Sequence, residues 1–424
     1  MSARRIDPLR DVVTLRVDGK KVRAEAGENV ATALVASGRW LFGRSVKYHR
    51  PRGPQCFVGR CDGCLLRVDG VPNVPSCTLT AREGMRIETQ NVIGSAALDV
   101  LALTDIAYPE GLDHHHMFTR FAPANRLMKK IARQIAGVGK LPDRVDAARD
   151  VRDEDVDVLV IGGGNAGLRC ANEAVRAGAK VVLIEPRRLG GLAALVFDPV
   201  VEKGPPVDRR RSAVVGVFHE VGAGFTHREE APDEVRWVIT LGEEGLTRFR
   251  PRRVVVATGA NETSVAFPSN DRPGVIGAVG ALELLRQGIL PGEDVLLIGA
   301  GRGLKVAGRE LRNAGARTHG PFAAQGDDIV DVELEGRWAV KRAHHAGETY
   351  DCDLVVMGGP LAPNVEVAMQ AGAEVRFTGK VFEVVADDEG RTHDPTLFAI
   401  GRCTGRRGEA AAAQAVRAGR AVAQ

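Results

Sequence analysis

Aromatic residues are scarce: three Trp, three Tyr and 13 Phe among 424 residues. That is too few rings for the stacked platforms on which single-stranded nucleic acid is read. An excess of one charge sign is lacking as well. The net charge is only +4, so no chain-wide basic field calls for nucleic acid or an acidic membrane. No stretch is long enough and apolar enough to span a bilayer. Residues Met1 to Pro8 carry charge but no apolar segment, so no secretory signal is expected. Of the seven cysteines, Cys170, Cys352 and Cys403 are scattered and odd in number. They read as core or loop thiols and argue against a disulfide framework. The expected setting is the reducing cytoplasm, with membrane association only through a partner.

The other four cysteines form the densest chemistry in the chain. Cys56, Cys61 and Cys64 lie in one loop and Cys77 follows a short strand and turn later, a C-x4-C-x2-C-x12-C spacing. The first three follow the plant-type [2Fe–2S] pattern. Gly59 and Gly63 give the loop φ > 0 and aim backbone N–H groups at sulfur. The competing readings are zinc and unrelated core thiols. Zinc sites favour two separated C-x2-C pairs, and here the first gap is four residues.

Apolar residues at 44% and charged residues at 26% are ordinary for globular protein, and the length allows two to four domains. Val12 to Val17 alternates, Asp18-Gly19 signals a hairpin, and Lys20 to Ala24 returns. Glu28 to Ala36 then has apolar residues at helical spacing, and Leu65 to Val68 reads as a strand before Cys77. Hairpin, helix and cysteine loop in this order describe a β-grasp ferredoxin domain over 1–95. The first hundred residues of the chain hold 16 Lys/Arg against 10 Asp/Glu. Many mobile ferredoxins are acidic, so this one reads as a built-in relay. Residues 96–153 read as a helical linker, with an amphipathic helix from Asn125 to Ala136. His114-His115-His116 reads as a loop rather than a metal site, because adjacent histidines point apart.

From Val156 to Ile161 an apolar strand runs into Gly162-Gly163-Gly164-Asn165-Ala166-Gly167. A helix follows to Ala177, and the strand Val181 to Ile184 ends on Glu185. This is a dinucleotide turn in its proper context. Gly162 allows the tight turn, Gly164 lets pyrophosphate approach, and Gly167 permits close helix–strand packing. The helix N-terminus at Asn165 and Ala166 favours phosphate, and Glu185 accepts from a ribose 2′-OH. Gly191, Thr258 and Gly259 are further candidates, the last two in an Ala-Thr-Gly turn after a buried strand. Residues 192–253 suggest a small β insertion around Val235 to Leu241.

A second unit starts at Asp294 to Gly299, where Gly299 and Gly301 match but Leu304 replaces the third glycine. Ala316 to His319 has no acid at its end, so nucleotide binding there is left open. Cys352 to Gly359 returns the chain, and Thr396 to Gly401 leads into an Ala-rich helix from Glu409 to Ala423. Two-dinucleotide-domain flavoproteins place Asp after this last glycine to hold the ribityl chain; here Gly401 precedes Arg402. The expected fold class is α/β with an α+β N-terminal part: the ferredoxin domain, then a glutathione reductase-like flavoprotein fold. Its first dinucleotide domain covers 154–265 and 380–424, and the inserted, degenerate second one covers 266–379.

The stretches Gly43-Arg44-Ser45-Val46-Lys47-Tyr48-His49-Arg50-Pro51-Arg52-Gly53 and Ala136 to Pro142, with the glycine turn at 162–167, carry a resemblance. The chain resembles alpha subunits of heterotetrameric sarcosine oxidase and their relatives, among them opine oxidases, hydrogen cyanide synthase and dye-linked proline or hydroxyproline dehydrogenases. It departs from the sarcosine oxidase subunits in having the cluster cysteines and ending early, which draws it toward the dehydrogenases. The resemblance implies a partner flavoprotein of the D-amino-acid-oxidase type that holds the amine, with this chain relaying electrons to a quinone or another acceptor. It implies a [2Fe–2S] cluster and FAD, and leaves NAD, ATP or an FMN at a subunit interface open. No base or substrate clamp is evident. His49, Arg50 and Arg52 read as catalytic or as a basic surface that meets a partner or tunes the cluster, and the second reading is adopted. The rival functions are an NAD(P)H-dependent FAD/[2Fe–2S] reductase and a structural subunit with a permanently bound nucleotide.

Overall fold

In the computed structural model the described residues are 3–45, 49–92, 94–99, 122–126, 141–143, 150–196, 204–220, 235–242, 245–323 and 330–424. The His114–His116 run and nearly all of the Asn125–Ala136 helix lie outside them, as do Val46, Lys47 and Tyr48. The chain divides into two compact units, Met1–Asp146 with Thr263–Pro360, and Ala147–Glu262 with Leu361–Gln424.

The first unit begins with a five-stranded sheet. Strands β1 (Val12–Val17) and β2 (Lys20–Glu25) form the hairpin that Asp18-Gly19 announces, and α1 (Val30–Ala36) follows. Six of the seven α1 residues are buried, so the helix lies on the sheet as core. With β3 (Leu65–Val68), β4 (Val71–Pro75) and β5 (Arg86–Glu88) the order is β2-β1-β5-β3-β4. Leu15, Leu66 and Ile87, on three of these strands, are fully buried. This is the β-grasp arrangement, with β1 and β5 parallel at its centre.

In the second unit, β6 (Val151–Ile161) leads into α2 (Asn165–Arg176) and β7 (Val181–Ile184). Strands β8 (Ser212–Glu220), β9 (Val235–Gly242) and β10 (Gly245–Val256) form an antiparallel meander. The β insertion expected from Val235–Leu241 is thus its middle strand.

The rest of the first unit is a four-stranded parallel sheet. Its elements are β11 (Val275–Gly277), α3 (Ala278–Arg286), β12 (Asp294–Gly299), α4 (Arg302–Asn313), β13 (Arg317–Phe322) and β14 (Leu354–Gly358), in strand order β11-β14-β12-β13. Strand Arg4–Arg5 pairs with Ile289–Leu290 and so stitches the ferredoxin part to it.

The chain then returns to the second unit. Residues 361–379, assigned by sequence to the inserted domain, belong here instead. The reason is pairing: Leu361–Pro363 forms an antiparallel ladder with Ala260–Glu262, so the return falls at Leu361 rather than near 380. Strand β15 (Leu397–Ala399) pairs parallel with β10, and α5 (Gly408–Ala421) closes the unit. With Asp208–Arg210 paired beside β7 the resulting sheet has seven strands, and its parallel centre is buried on both faces. Leu159 and Ile161 point to one core, and Val158 and Val160 to the other. Two-sided burial is why these strands read as unbroken apolar runs. Helices α2 and α5 cross closely: a Cβ on Gly419 would meet the Cys170 carbonyl at 2.5 Å. Among the described residues no helix is long and apolar enough to cross a membrane.

Candidate functional site

The cysteine loop is shaped by two left-handed residues, Phe57 at φ 53° and Gly59 at φ 77°; Gly63, expected to share that conformation, does not, and is required for a close approach instead. Gly63 lies so close to Gly53 that a Cβ there would sit 2.0 Å from the Gly53 carbonyl oxygen. This turn folds the backbone around sulfur. The N–H groups of Arg60 and Cys61 donate to Cys56 Sγ at 3.2 and 3.3 Å, and that of Gly59 donates to Cys77 Sγ at 3.2 Å. Cys64 Sγ lies 3.4 Å from Cys77 Sγ. Hydrogen bonds from Cys61 and Cys77 pull the Cys56 thiol far down, with help from the amides. The same contacts push Cys77 up, through Cys56 first and then Cys64; Cys61 raises Cys64. Among the described residues no three ligating side chains close around one ion. All four sequence-assigned thiols are brought together by one loop and one strand end. Soft sulfur donors with amides aimed at them fit a [2Fe–2S] cluster.

The first glycine turn is built as its sequence requires. At Gly162, φ is 113° and a Cβ would lie 2.3 Å from the Ala257 carbonyl oxygen. At Gly167 a Cβ would lie 1.9 Å from the Gly162 carbonyl oxygen, so only glycine lets α2 approach. Nothing lies within 4 Å of a Cβ at Gly164, which leaves its face open for a phosphate at the start of α2. Asn165 and Ala166 begin that helix. Gly190 donates its N–H to the Gly163 carbonyl at 2.8 Å and holds Gly191 against Gly164.

Glu185 stands beside the turn. Its Oε2 accepts from the Gly163 N–H at 2.8 Å and its Oε1 from the Arg187 N–H at 3.0 Å. Each oxygen keeps a lone pair for a ribose hydroxyl. Thr258 Oγ1 donates to the Asn364 carbonyl at 2.7 Å, and Asn364 Nδ2 returns a bond to the Thr258 carbonyl at 2.9 Å. The Asn364 N–H donates to Gly259. Gly401, at φ 76°, donates its N–H to Gln414 Oε1, and a Cβ on it would lie 2.9 Å from Ala166 Cβ. These cradles suit the dinucleotide of FAD. Asn364 and Gln414 escaped sequence reasoning. Their only signals are single amides in the Ala-Pro-Asn-Val turn and in an otherwise Ala-rich helix.

Arg402 is half-buried, and burial lowers its guanidinium first, the Arg407 charge second. Among the described residues no carboxylate pairs with it.

The second turn shares the backbone and differs in chemistry. Gly299 has φ 92° and a Cβ position 2.4 Å from the Gly358 carbonyl oxygen. The face of Gly301 is open. Leu304 is accommodated because Gly358 opposite it has no side chain; a Cβ there would be 2.5 Å from Leu304 Cβ. The glycine has changed sides of the helix–strand contact. Ile298 pairs with Phe322, as Ile161 pairs with Ile184, so Ala323 occupies the place of Glu185. The strand therefore runs beyond His319, and its end is neutral.

His49, Arg50 and Arg52 do not gather into a catalytic group. His49 is 2% exposed, its Nδ1 2.8 Å from Asp99 Oδ2, while Arg52 pairs with Asp271 at 2.5 Å. The Arg50 N–H donates to Ser45 Oγ. Cys170 and Cys352 are pushed up to about 12 and Cys403 to about 11, chiefly by burial, as expected of inert core thiols.

Two family descriptions match: "2Fe-2S iron-sulfur cluster binding domain" over residues 10–92 and "FAD dependent oxidoreductase" over 157–257. Sarcosine oxidase subunit alpha of Rhizobium meliloti is 29% identical over 84% of this chain, which spans 40% of that relative. Hydrogen cyanide synthase subunit HcnA of Pseudomonas aeruginosa is 37% identical over 20% of this chain and 83% of its own length. Among solved structures, L-proline dehydrogenase from P. horikoshii superposes with a TM-score of 0.71. At 22% identity it covers 97% of this chain and 73% of its own, and it shares the fold. A cysteine loop that fits a [2Fe–2S] cluster, a built FAD-type turn and these likenesses agree: the chain belongs to the family of sarcosine oxidase alpha subunits and their opine oxidase and hydrogen cyanide synthase relatives.

Proposed function

We propose that this chain is the iron–sulfur flavoprotein subunit of an amine or imino-acid dehydrogenase or oxidase of the sarcosine, proline, hydroxyproline or opine type. It would work beside a D-amino-acid-oxidase-type flavoprotein subunit and deliver electrons to a quinone or another acceptor. The observation that carries this reading is that one chain holds both a convergent four-thiol loop and an open glycine turn. When bound, flavin supplies two-electron oxidation of a C–N bond and the cluster supplies one-electron transfer. Cys56, Cys61, Cys64 and Cys77 hold iron, and their amide donors stabilise negative charge on sulfur. Gly162, Gly164 and Gly167 admit the dinucleotide, Glu185 orients its ribose, and Thr258, Gly259 and Gly401 line the same cradle. The four-part domain division, with its boundary at the return moved to Leu361, remains the working description.

The test is an anaerobic one. Purified with its partner, the complex should release FAD on heating and contain two irons per chain. Its cluster absorbance should bleach when a suitable secondary amine is added. Bleaching by NADH instead would move the assignment to a reductase.

Arg402 supports a second reading, a structural subunit with a permanently held nucleotide, because a half-buried cation favours phosphate over ribityl hydroxyls. Two irons with NAD or ATP and no flavin after denaturation would establish that reading.

A further inference from the structure

The cluster loop rests on the second dinucleotide domain. Gly277, the last residue of β11, donates its N–H to the Gln55 carbonyl at 3.0 Å, and Gln55 Nε2 donates to the Asn270 carbonyl at 2.9 Å. One turn on, Gly280 has no room for a side chain. A Cβ there would lie 2.7 Å from the Gln55 carbonyl oxygen, 3.1 Å from the Phe57 ring and 3.3 Å from the Cys56 carbonyl oxygen. Arg52 and Asp271 pin the same contact from the side.

Register shows where on the sheet this happens. Gly277 pairs with Met357, and Met357 with Ile298, the residue before the Gly299 turn. The cluster loop therefore sits at the carboxyl ends of the parallel strands, two strands and about 10 Å from the second glycine turn. In open α/β sheets this rim is where ligands bind. Here the start of α3 meets the peptide of a cluster ligand. That nine-residue helix has no acid in its first turn to offset its positive end.

We propose that the second dinucleotide domain acts as a potential-setting platform for the cluster, with Gly280 and Gln55 as its positioning residues. A [2Fe–2S] cluster held by these thiols would gain one negative charge on one-electron reduction. The N-terminal end of α3, held against the Cys56 loop, favours that reduced form and so raises the potential. This gives a domain with a neutral residue at its ribose position a purpose that requires no nucleotide. The proposal deepens the relay reading and depends on it only for the direction in which electrons are used.

The test is a redox titration of the full chain with dithionite, followed by the spin signal of the reduced cluster, beside iron and sulfide content. No amine, flavin or partner enters it, so failure of the relay reading would not disturb the result. Gly280→Val and Gly280→Ala should keep two irons and lower the midpoint potential, valine more than alanine, and Gln55→Ala should shift it in the same direction. A potential unchanged or raised at full iron would overturn the proposal. Loss of iron in both Gly280→Ala and Gln55→Ala would also overturn it, since the contact would then serve only to build the loop.

Discussion

Gln414 and Gly401 are joined by a buried hydrogen bond of 2.9 Å from the Gly401 N–H to Gln414 Oε1. The same side chain receives the Thr404 hydroxyl at 3.3 Å and donates to the Asp387 carbonyl at 2.9 Å. One fully buried amide in α5 thus fixes the turn after β15, against which Ala166 and the start of α2 lie. Gln414→Leu keeps the volume but strands the Gly401 N–H. An unfolding midpoint in urea should report a loss of about 1–3 kcal/mol. Nucleotide retained through gel filtration should fall with it. Unchanged retention would mean that Gly401 contributes nothing to the cradle.

Cys61 tests the relay. Cys61→Ser removes a soft donor while the backbone N–H groups of Arg60 and Cys61 that donate to Cys56 Sγ stay in place. Reduction of flavin by amine in the assembled complex should be unaffected. Transfer to an external acceptor should slow by at least about 10-fold, the lower end of what losing even an outer-shell partner of a metal ligand costs. Stopped-flow absorbance resolves the two phases, and equal rates in wild type and variant for both would sink the relay.

The cysteine spacing and the first glycine turn were legible because each imposes local geometry on its own residues. Other parts were not. The first half of β6, Val151-Arg-Asp-Glu-Asp, has no apolar pattern and is a strand because β10 lies beside it. There Arg248 pairs with Asp153 and Arg250 with Asp155 in register. Asn364 acts through a partner 106 residues away and Gln414 through partners 13 and 27 residues away, contacts that no helix or strand periodicity encodes. The early return at Leu361 likewise depends on a ladder to Ala260–Glu262. Leu304 breaks the glycine pattern of the second turn, and the residue that makes room for it, Gly358, lies on another strand.

Acid should unfold the chain from a particular side. At Asp394, burial opposes ionisation, but Thr396 hydrogen bonds and Arg236 outweigh it and hold the carboxyl below its usual value. Hydrogen bonds from Arg248 and Arg250 also lower Asp153 and Asp155, at the surface. A carboxylate lowered on folding contributes stability above its unfolded pKa, about 3.9 for Asp, and loses it as pH falls through the folded value. Stability should therefore be level near neutrality and drop below about pH 4. Asp394→Asn should flatten that drop, measured as urea midpoints at several pH values. An undiminished slope would show that Asp394 has no part in it.

The exchange of glycine between helix and strand can be tested by substitution on the strand. Gly358→Ala brings a methyl to within 2.5 Å of Leu304 Cβ and 2.7 Å of the Ala300 carbonyl, where neither neighbour is a flexible side-chain end. Overpacking of this kind costs about 1–3 kcal/mol, read as a lower urea midpoint at constant slope. Adding Leu304→Gly removes the nearer clash at the expense of a buried side chain. The double variant should then be more stable than the sum of the two single losses, a coupling of about 0.5–3 kcal/mol for residues in contact. Strict additivity would mean that α4 shifts freely over β14, and that Gly358 is not what allows leucine into the second turn.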